Sequence, residues 1–204
     1  MQRLFVRGSL VVALVVVLVL TVRPAAWART SSRPAATTRA IDDGATTVEQ
    51  LEARPLRVPR LRHGERCPRA HLEQVTTGVG PAVRAGPVAA AAVSARDGVG
   101  IGPVVTDDGW RAGKVLWLVQ RSQREPVIVR GRRVDRPGKV RFRFGVERGT
   151  AVGELDGDAN STAGADYRDM PSSLEVRSGG CYALQVDGPD FQSVLTLRVT
   201  RNRR

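Results

Sequence analysis

The chain carries two histidines, His63 and His71, and two cysteines, Cys67 and Cys181. His63, Cys67 and His71 are four residues apart, a spacing that on one helical face would offer two imidazoles and a thiolate to a transition metal. Gly64 and Pro68 interrupt any such helix, and a thiolate held by a metal could not pair with Cys181. A second cluster sets Asp156, Asp158 and Asn160 at alternate positions, with Asp166 and Asp169 beyond them, as a calcium loop sets its oxygen ligands. The pattern then departs from an EF-hand, with Ser161 at the turn glycine's place and Tyr167 at that of the bidentate glutamate. Asp, Asn, Gly and Ser also simply make turns, so no cofactor is expected and these three residues stand only as candidate ligands. Asn160, Ser161 and Thr162 match the glycosylation sequon, which carries little weight in a chain of bacterial composition.

Nucleophilic catalysis needs a histidine base, and both histidines sit in a Pro- and Arg-rich stretch. Glycosidic hydrolysis needs two carboxylates, which Asp107 with Asp108, or Glu154 with Asp156, could offer. Acid pairs so close in sequence are commonplace in loops. A secreted hydrolase or metal-dependent enzyme built on a loop carboxylate cluster is therefore the alternative, and a non-catalytic protein the expectation.

The densest run of charge is cationic. Arg130, Arg132, Arg133, Arg136, Lys139, Arg141 and Arg143 lie close together, with Arg148 just beyond. If two strands present them on one sheet face, they form a stripe suited to anionic partners. Outside a cell such partners are phosphate-bearing wall polymers, membrane headgroups or nucleic acid. Phe142 and Phe144 alternate to the opposite face, which leaves no platform for stacking bases, so sequence-specific nucleic-acid recognition is not expected. The opposing reading is compositional: of the cations only Lys114 and Lys139 are lysines, and arginine in such excess beside Ala, Val and Gly is what a GC-rich genome produces.

The compartment follows from the first 28 residues. Arg3 and Arg7 precede an apolar run from Leu10 to Val22, and Ala26, Trp27 and Ala28 give the small-x-small pattern of a signal-peptidase site. That run is shorter than the roughly 20 residues a spanning helix needs. Cleavage would remove Arg3, Arg7 and Arg23 from the 32 Lys and Arg, leaving 29 cations against 20 acids. In the oxidising space beyond the membrane Cys67 is expected to pair with Cys181.

The elements that must position these residues are short. From 29 to 44 the chain has almost no large apolar residue and is expected to be flexible. Thr46 with Glu49 resembles a capping box, with Val48 and Leu51 as one apolar face, so residues 29–54 read as a flexible segment with a short helix. Over 55–200 no stretch sustains helical period. Val140, Phe142 and Phe144 alternate with Lys139, Arg141 and Arg143; Tyr182, Leu184 and Val186 with Ala183, Gln185 and Asp187; and Leu195, Leu197 and Val199 with Thr196, Arg198 and Thr200. Val115–Val119, centred on Trp117, is apolar throughout, as in a strand covered on both faces. Further strands are expected at Val127–Val129 and Leu174–Val176, and Asp135–Gly138 reads as a type II hairpin turn. Many short strands without a long helix predict an all-β antiparallel sandwich with an Ig-like arrangement, followed by a basic tail over 201–204.

Pro171–Thr200, with Gly180, Cys181 and Tyr182 entering one strand and Gln185, Val186, Asp187, Gly188 and Phe191 preceding the last, resembles the C-terminus of a group of secreted bacterial proteins with an Ig-like β-sandwich domain. Leu56–Pro68, Gly80–Val88 and Gly109–Val119 are similar to segments of the same group. The resemblance implies a fold and no activity. Two positions depart from a true immunoglobulin domain: Trp117 lies 50 residues past Cys67, and position 179 is Gly instead of the corner tyrosine. Together these readings describe a secreted, non-catalytic binding or structural module of the bacterial envelope, contacting an anionic wall polymer or membrane surface.

Overall fold

The computed structural model describes residues 45–92, 98–101, 108–155 and 164–201. Residues 1–28, read in the sequence as a signal peptide, residues 29–44, the candidate ligands Asp156, Asp158 and Asn160, and residues 202–204 lie outside the described residues. Among the described residues no helix is long and apolar enough to cross a membrane.

Among the described residues one short helix, α1 (Val48–Glu52), precedes ten strands: β1 (Ala82–Ala85), β2 (Val88–Ala92), β3 (Gly98–Ile101), β4 (Arg111–Gln120), β5 (Ile128–Arg133), β6 (Val140–Phe144), β7 (Val152–Glu154), β8 (Tyr167–Val176), β9 (Gly180–Asp187) and β10 (Gln192–Arg201). They form two five-stranded sheets, ordered β1-β2-β4-β8-β6 and β3-β10-β9-β5-β7. Every pairing is antiparallel except that of β3 with β10. The chain is an all-β sandwich.

Period-two patterning decides which way each strand faces. Val140 and Phe142 of β6, Tyr182, Leu184 and Val186 of β9, and Leu195, Leu197 and Val199 of β10 all point into the core between the sheets. Trp117 of β4 is wholly buried there, edge-on to Phe142 at 6.3 Å. Its indole N–H donates to Ser172 Oγ at 2.9 Å, which gives the one polar atom of a large buried ring a partner. Leu118, on the other face of β4, is equally buried, beneath Val75 and Val79. The unbroken apolar run of β4 thus reflects cover on both faces.

The helix starts one residue later than its sequence signature suggested. Thr47 is the N-cap: its hydroxyl accepts from Gln50 N–H at 3.3 Å, and Gln50 Oε1 accepts from Thr47 N–H at 3.0 Å. Gln50 at the third helical position closes the reciprocal pair with Thr47, the role the sequence pattern gave to Glu49 with Thr46.

The larger correction concerns Asp135–Gly138. This turn does not join two neighbours of one sheet. Arg133 N–H donates to Gly138 O at 3.0 Å and Arg132 bridges Lys139, after which β5 runs into one sheet and β6 to the edge of the other. Gly138 is not among the positive-φ glycines, so it does not supply the left-handed residue of a type II turn. It is required for a close approach, since a Cβ at 138 would stand 2.9 Å from Arg133 Cβ.

Between α1 and β1 the chain lays a strap over the outer face of β5 and β9. Val58 packs with Val134, Cys181 and Ala183, flanked by Leu56, Leu61 and Cys67. Backbone and side chain close the seam: Leu61 N–H donates to Val134 O at 3.0 Å, Arg57 N–H to Gln185 Oε1 at 2.6 Å, and Gln185 Nε2 to Pro55 O at 3.1 Å. Ala183, Gln185 and Asp187, which the alternation of β9 assigns to the outer side, are therefore buried.

Candidate functional site

Division of the turn between sheets splits the cationic run into groups with different partners. On β5, Arg130 is covered by the strap: Nη1 donates to Glu52 O and Arg54 O at 2.7 and 2.8 Å, and Nη2 to Asp187 Oδ2 at 2.7 Å. Asp187 is fully buried and also accepts from Gln185 and Gln192. Arg132 reaches Val58 O at 3.4 Å. Arg133 is buried, its Nε and Nη2 holding both oxygens of Asp135 at 2.6 and 2.9 Å and its Nη1 donating to Ser178 Oγ at 2.7 Å. Gly180 leaves room for that guanidinium, which a Cβ there would overlap. The bidentate bond with Asp135 raises Arg133 above the ordinary arginine value and, from the other side, holds the Asp135 carboxyl below the usual carboxylate range.

On β6 the partner is Glu175, which stands opposite Arg141 on the neighbouring β8 and is 1% exposed. Arg141 donates through Nε and Nη2 to its Oε2 at 3.1 and 2.7 Å and through Nη1 to Asp108 at 2.8 Å, while Arg143 lies 3.0 Å from Oε1. Burial works against the Arg141 cation, but its bonds to Glu175 and then Asp108 prevail and raise its pKa. Trp110 lies under the same group, 4.2 Å from the Arg141 guanidinium and 5.1 Å from that of Arg177. Lys139 alone of the expected contact residues is exposed, at the turn. Arg130, Arg132 and Arg133 on one side, and Lys139, Arg141 and Arg143 on the other, thus do not form one stripe on one face.

A third basic group lies in the Pro- and Arg-rich stretch that holds both histidines. Arg57, Arg60, Arg62, Arg66 and Arg69 of the strap are exposed, as is Arg198 of β10. No ion pair joins any of them to a carboxylate among the described residues. The one acid within 57–69 is Glu65, whose carboxylate accepts from Arg62 N–H at 2.8 Å and so closes a turn. Cys67 and Cys181 form a disulfide, Cα to Cα 5.4 Å, which pins this segment to β9. Beside it a cleft of about 550 Å³ is lined by Arg66, Cys67, Pro68, Arg69 and Arg198. The signal that could have found it is the combination of five arginines around one half-cystine with a single acid.

The disulfide also takes the thiolate that a metal site of His63, Cys67 and His71 would need, and both histidines are exposed on the strap. Of the paired carboxylates, Asp108 is bound by Arg141 and Arg148, Glu154 is exposed on β7, and Asp107 and Asp156 lie outside the described residues. Near Cys181, Tyr182 O–H donates to Ser178 O at 2.8 Å, a corner bond made by the residue after the cysteine. Burial raises the Tyr182 phenol above its ordinary value. No family model, curated protein or solved structure matches this chain.

Proposed function

We propose that the mature chain is exported and serves as a non-catalytic binding module of the bacterial envelope that contacts an anionic surface polymer. The observation that carries this reading is the exposed surface of Arg57, Arg60, Arg62, Arg66, Arg69 and Arg198, which meets no carboxylate among the described residues, set against strand arginines that are held by Asp187, Asp135 and Glu175. Exposed cations without internal partners attract polyanions over a distance set by salt. Export is supported by the leader and by a disulfide compatible with an extracellular protein. Within the sandwich class we read the arrangement as Ig-like, supported by the antiparallel ladders and the Tyr182 corner bond.

Co-sedimentation of the mature chain with isolated cell wall, anionic vesicles and DNA, each at low and high salt, tests the reading. Binding to an envelope surface that salt abolishes is the expected result. Failure to bind any of these surfaces at low salt overturns it.

A further inference from the structure

Three clusters of guanidinium groups stand out in this molecule, and two are neutralised from within. The third, at the cystine, has no internal counter-charge among the described residues: Arg66, Arg69 and Arg198 line one cleft together with Cys67 and Pro68, and no carboxylate lines it. We infer that this cleft is a phosphate-binding site for a phosphodiester-linked envelope polymer, held in shape by the Cys67–Cys181 bond. The inference rests on the polyanion reading above and narrows it to one ligand chemistry and one place.

The geometry is fixed by covalent and ladder constraints. Arg198 stands directly opposite Cys181 in the β9–β10 register. The disulfide draws Cys67 onto Cys181, and Cys67 Sγ lies 3.9 Å from Leu197 O. Arg66 and Arg69 flank Cys67 closely, so the bond that closes the strap also brings their backbone over that of Arg198. Pro68 restricts the backbone between them. The long stems therefore start from positions already set, which lowers the ordering cost of gripping a ligand.

The chemistry favours phosphate. A guanidinium fork binds two oxygens at once, and a phosphodiester holds its two non-bridging oxygens and two ester oxygens in a tetrahedron, so forks can approach from several sides, whereas a carboxylate offers two oxygens in one plane. At about 550 Å³ the cleft is on the scale of a small-molecule site, roughly 300–1,000 Å³, and has room for a phosphate with part of the repeat unit on either side. Among the described residues no aromatic side chain lines it, so they offer no stacking platform for nucleic-acid bases. Of the described lining residues, Pro68 and the disulfide-bonded Cys67 are the uncharged ones, which gives acyl chains little purchase. A wall polymer joined by phosphodiesters is the class that fits.

The test compares the mature wild-type chain with R66A/R69A/R198A and with a charge-matched control, K114A/R121A/R124A, which removes three exposed cations elsewhere. The probes are wall fragments bearing phosphodiester polymer, the same fragments after acid removal of that polymer, poly-glutamate, DNA and anionic vesicles. Three charge-assisted contacts predict roughly a 100-fold weaker hold of the cleft variant on the phosphodiester wall. Near-native binding by the control, and equal binding of wild type and cleft variant to poly-glutamate, complete the expected result. Equal losses in both triple variants, or no loss in the cleft variant, overturn the cleft while leaving the polyanion reading intact. Selective loss on DNA or vesicles alone assigns the cleft to those partners and overturns the wall-polymer inference. If wild type binds no surface, the polyanion reading falls, and with it the assignment of the cleft to a wall polymer. Titration of the arginine Nε–H NMR signals with inorganic pyrophosphate then judges the cleft alone: selective shifts at Arg66, Arg69 and Arg198 support it, and uniform or absent shifts overturn it.

Discussion

The outer face of β5 and β9 and the cystine end of the strap are both rich in arginine, yet they use the residue in opposite ways. Under the strap, Arg130 joins two backbone carbonyls and the fully buried Asp187 into a clamp that closes α1 onto the sheet. A few residues along, Arg66 and Arg69 stand in solvent with no acid to meet them among the described residues. A guanidinium taken out of water needs a counter-charge and acceptors for most of its donors, so burial favours pairing; in Arg130 both Nη atoms are bonded and Nε is left without an acceptor among the described residues. Exposure carries no such demand, and a cation left unpaired in solvent is free to take an external partner. The lesson is that local arginine density does not locate a binding surface, and that the distribution of carboxylates around it does.

The comparison can be broken most severely at the covalent tie. Replacing Cys67 and Cys181 by serine opens a loop with a sequence separation of 114, and the chain-entropy argument places the loss at about 4–5 kcal/mol, read from the denaturant midpoint. Next is the clamp itself: Asp187→Ala leaves Arg130 facing no carboxylate in a buried seam and should cost about 3–5 kcal/mol by the same measurement. Glu175→Gln weakens the pairing of Arg141 and Arg143 on the other sheet, where both cations keep more water, and about 2 kcal/mol is expected. A smaller effect sharpens the contrast through pH. The Asp135 carboxyl is held below its ordinary value of 3.8 by Arg133, so the stability it contributes is complete above that value and fades as pH falls through the lower, folded pKa. Asp135→Asn should flatten that part of the acid-unfolding curve, and an unchanged curve would remove the pair from the account. Smallest of all is R66A/R69A/R198A, which should leave the thermal midpoint where it was while changing ligand binding.

Patterning was legible wherever one strand face meets the core. The alternation in β6, β9 and β10 identified the inward residues correctly, because period two is a property of the extended backbone itself. β1 and β2 were not foreseen: Ala82–Ala92 is dominated by alanine, a poor strand former, and only pairing against β4 makes it a sheet. The candidate site was half legible. Its cystine followed from two cysteines in a chain whose first residues read as an export leader, but its third arginine, Arg198, lies more than a hundred residues from Arg66 and enters through strand register alone.

By itself, then, the sequence determined a β-rich chain with a fixed set of inward side chains and one cystine, since alternation and cysteine count need no knowledge of distant neighbours. Which arginines are neutralised and which are left to solvent was decided only by the tertiary structure. Charge pairing depends on which strands share a sheet, and the Asp135–Gly138 turn sends β5 and β6 to different ones. It depends equally on what covers a face, and nothing local in β9 announces that Gln185 and Asp187 lie beneath a strap drawn from well over a hundred residues upstream.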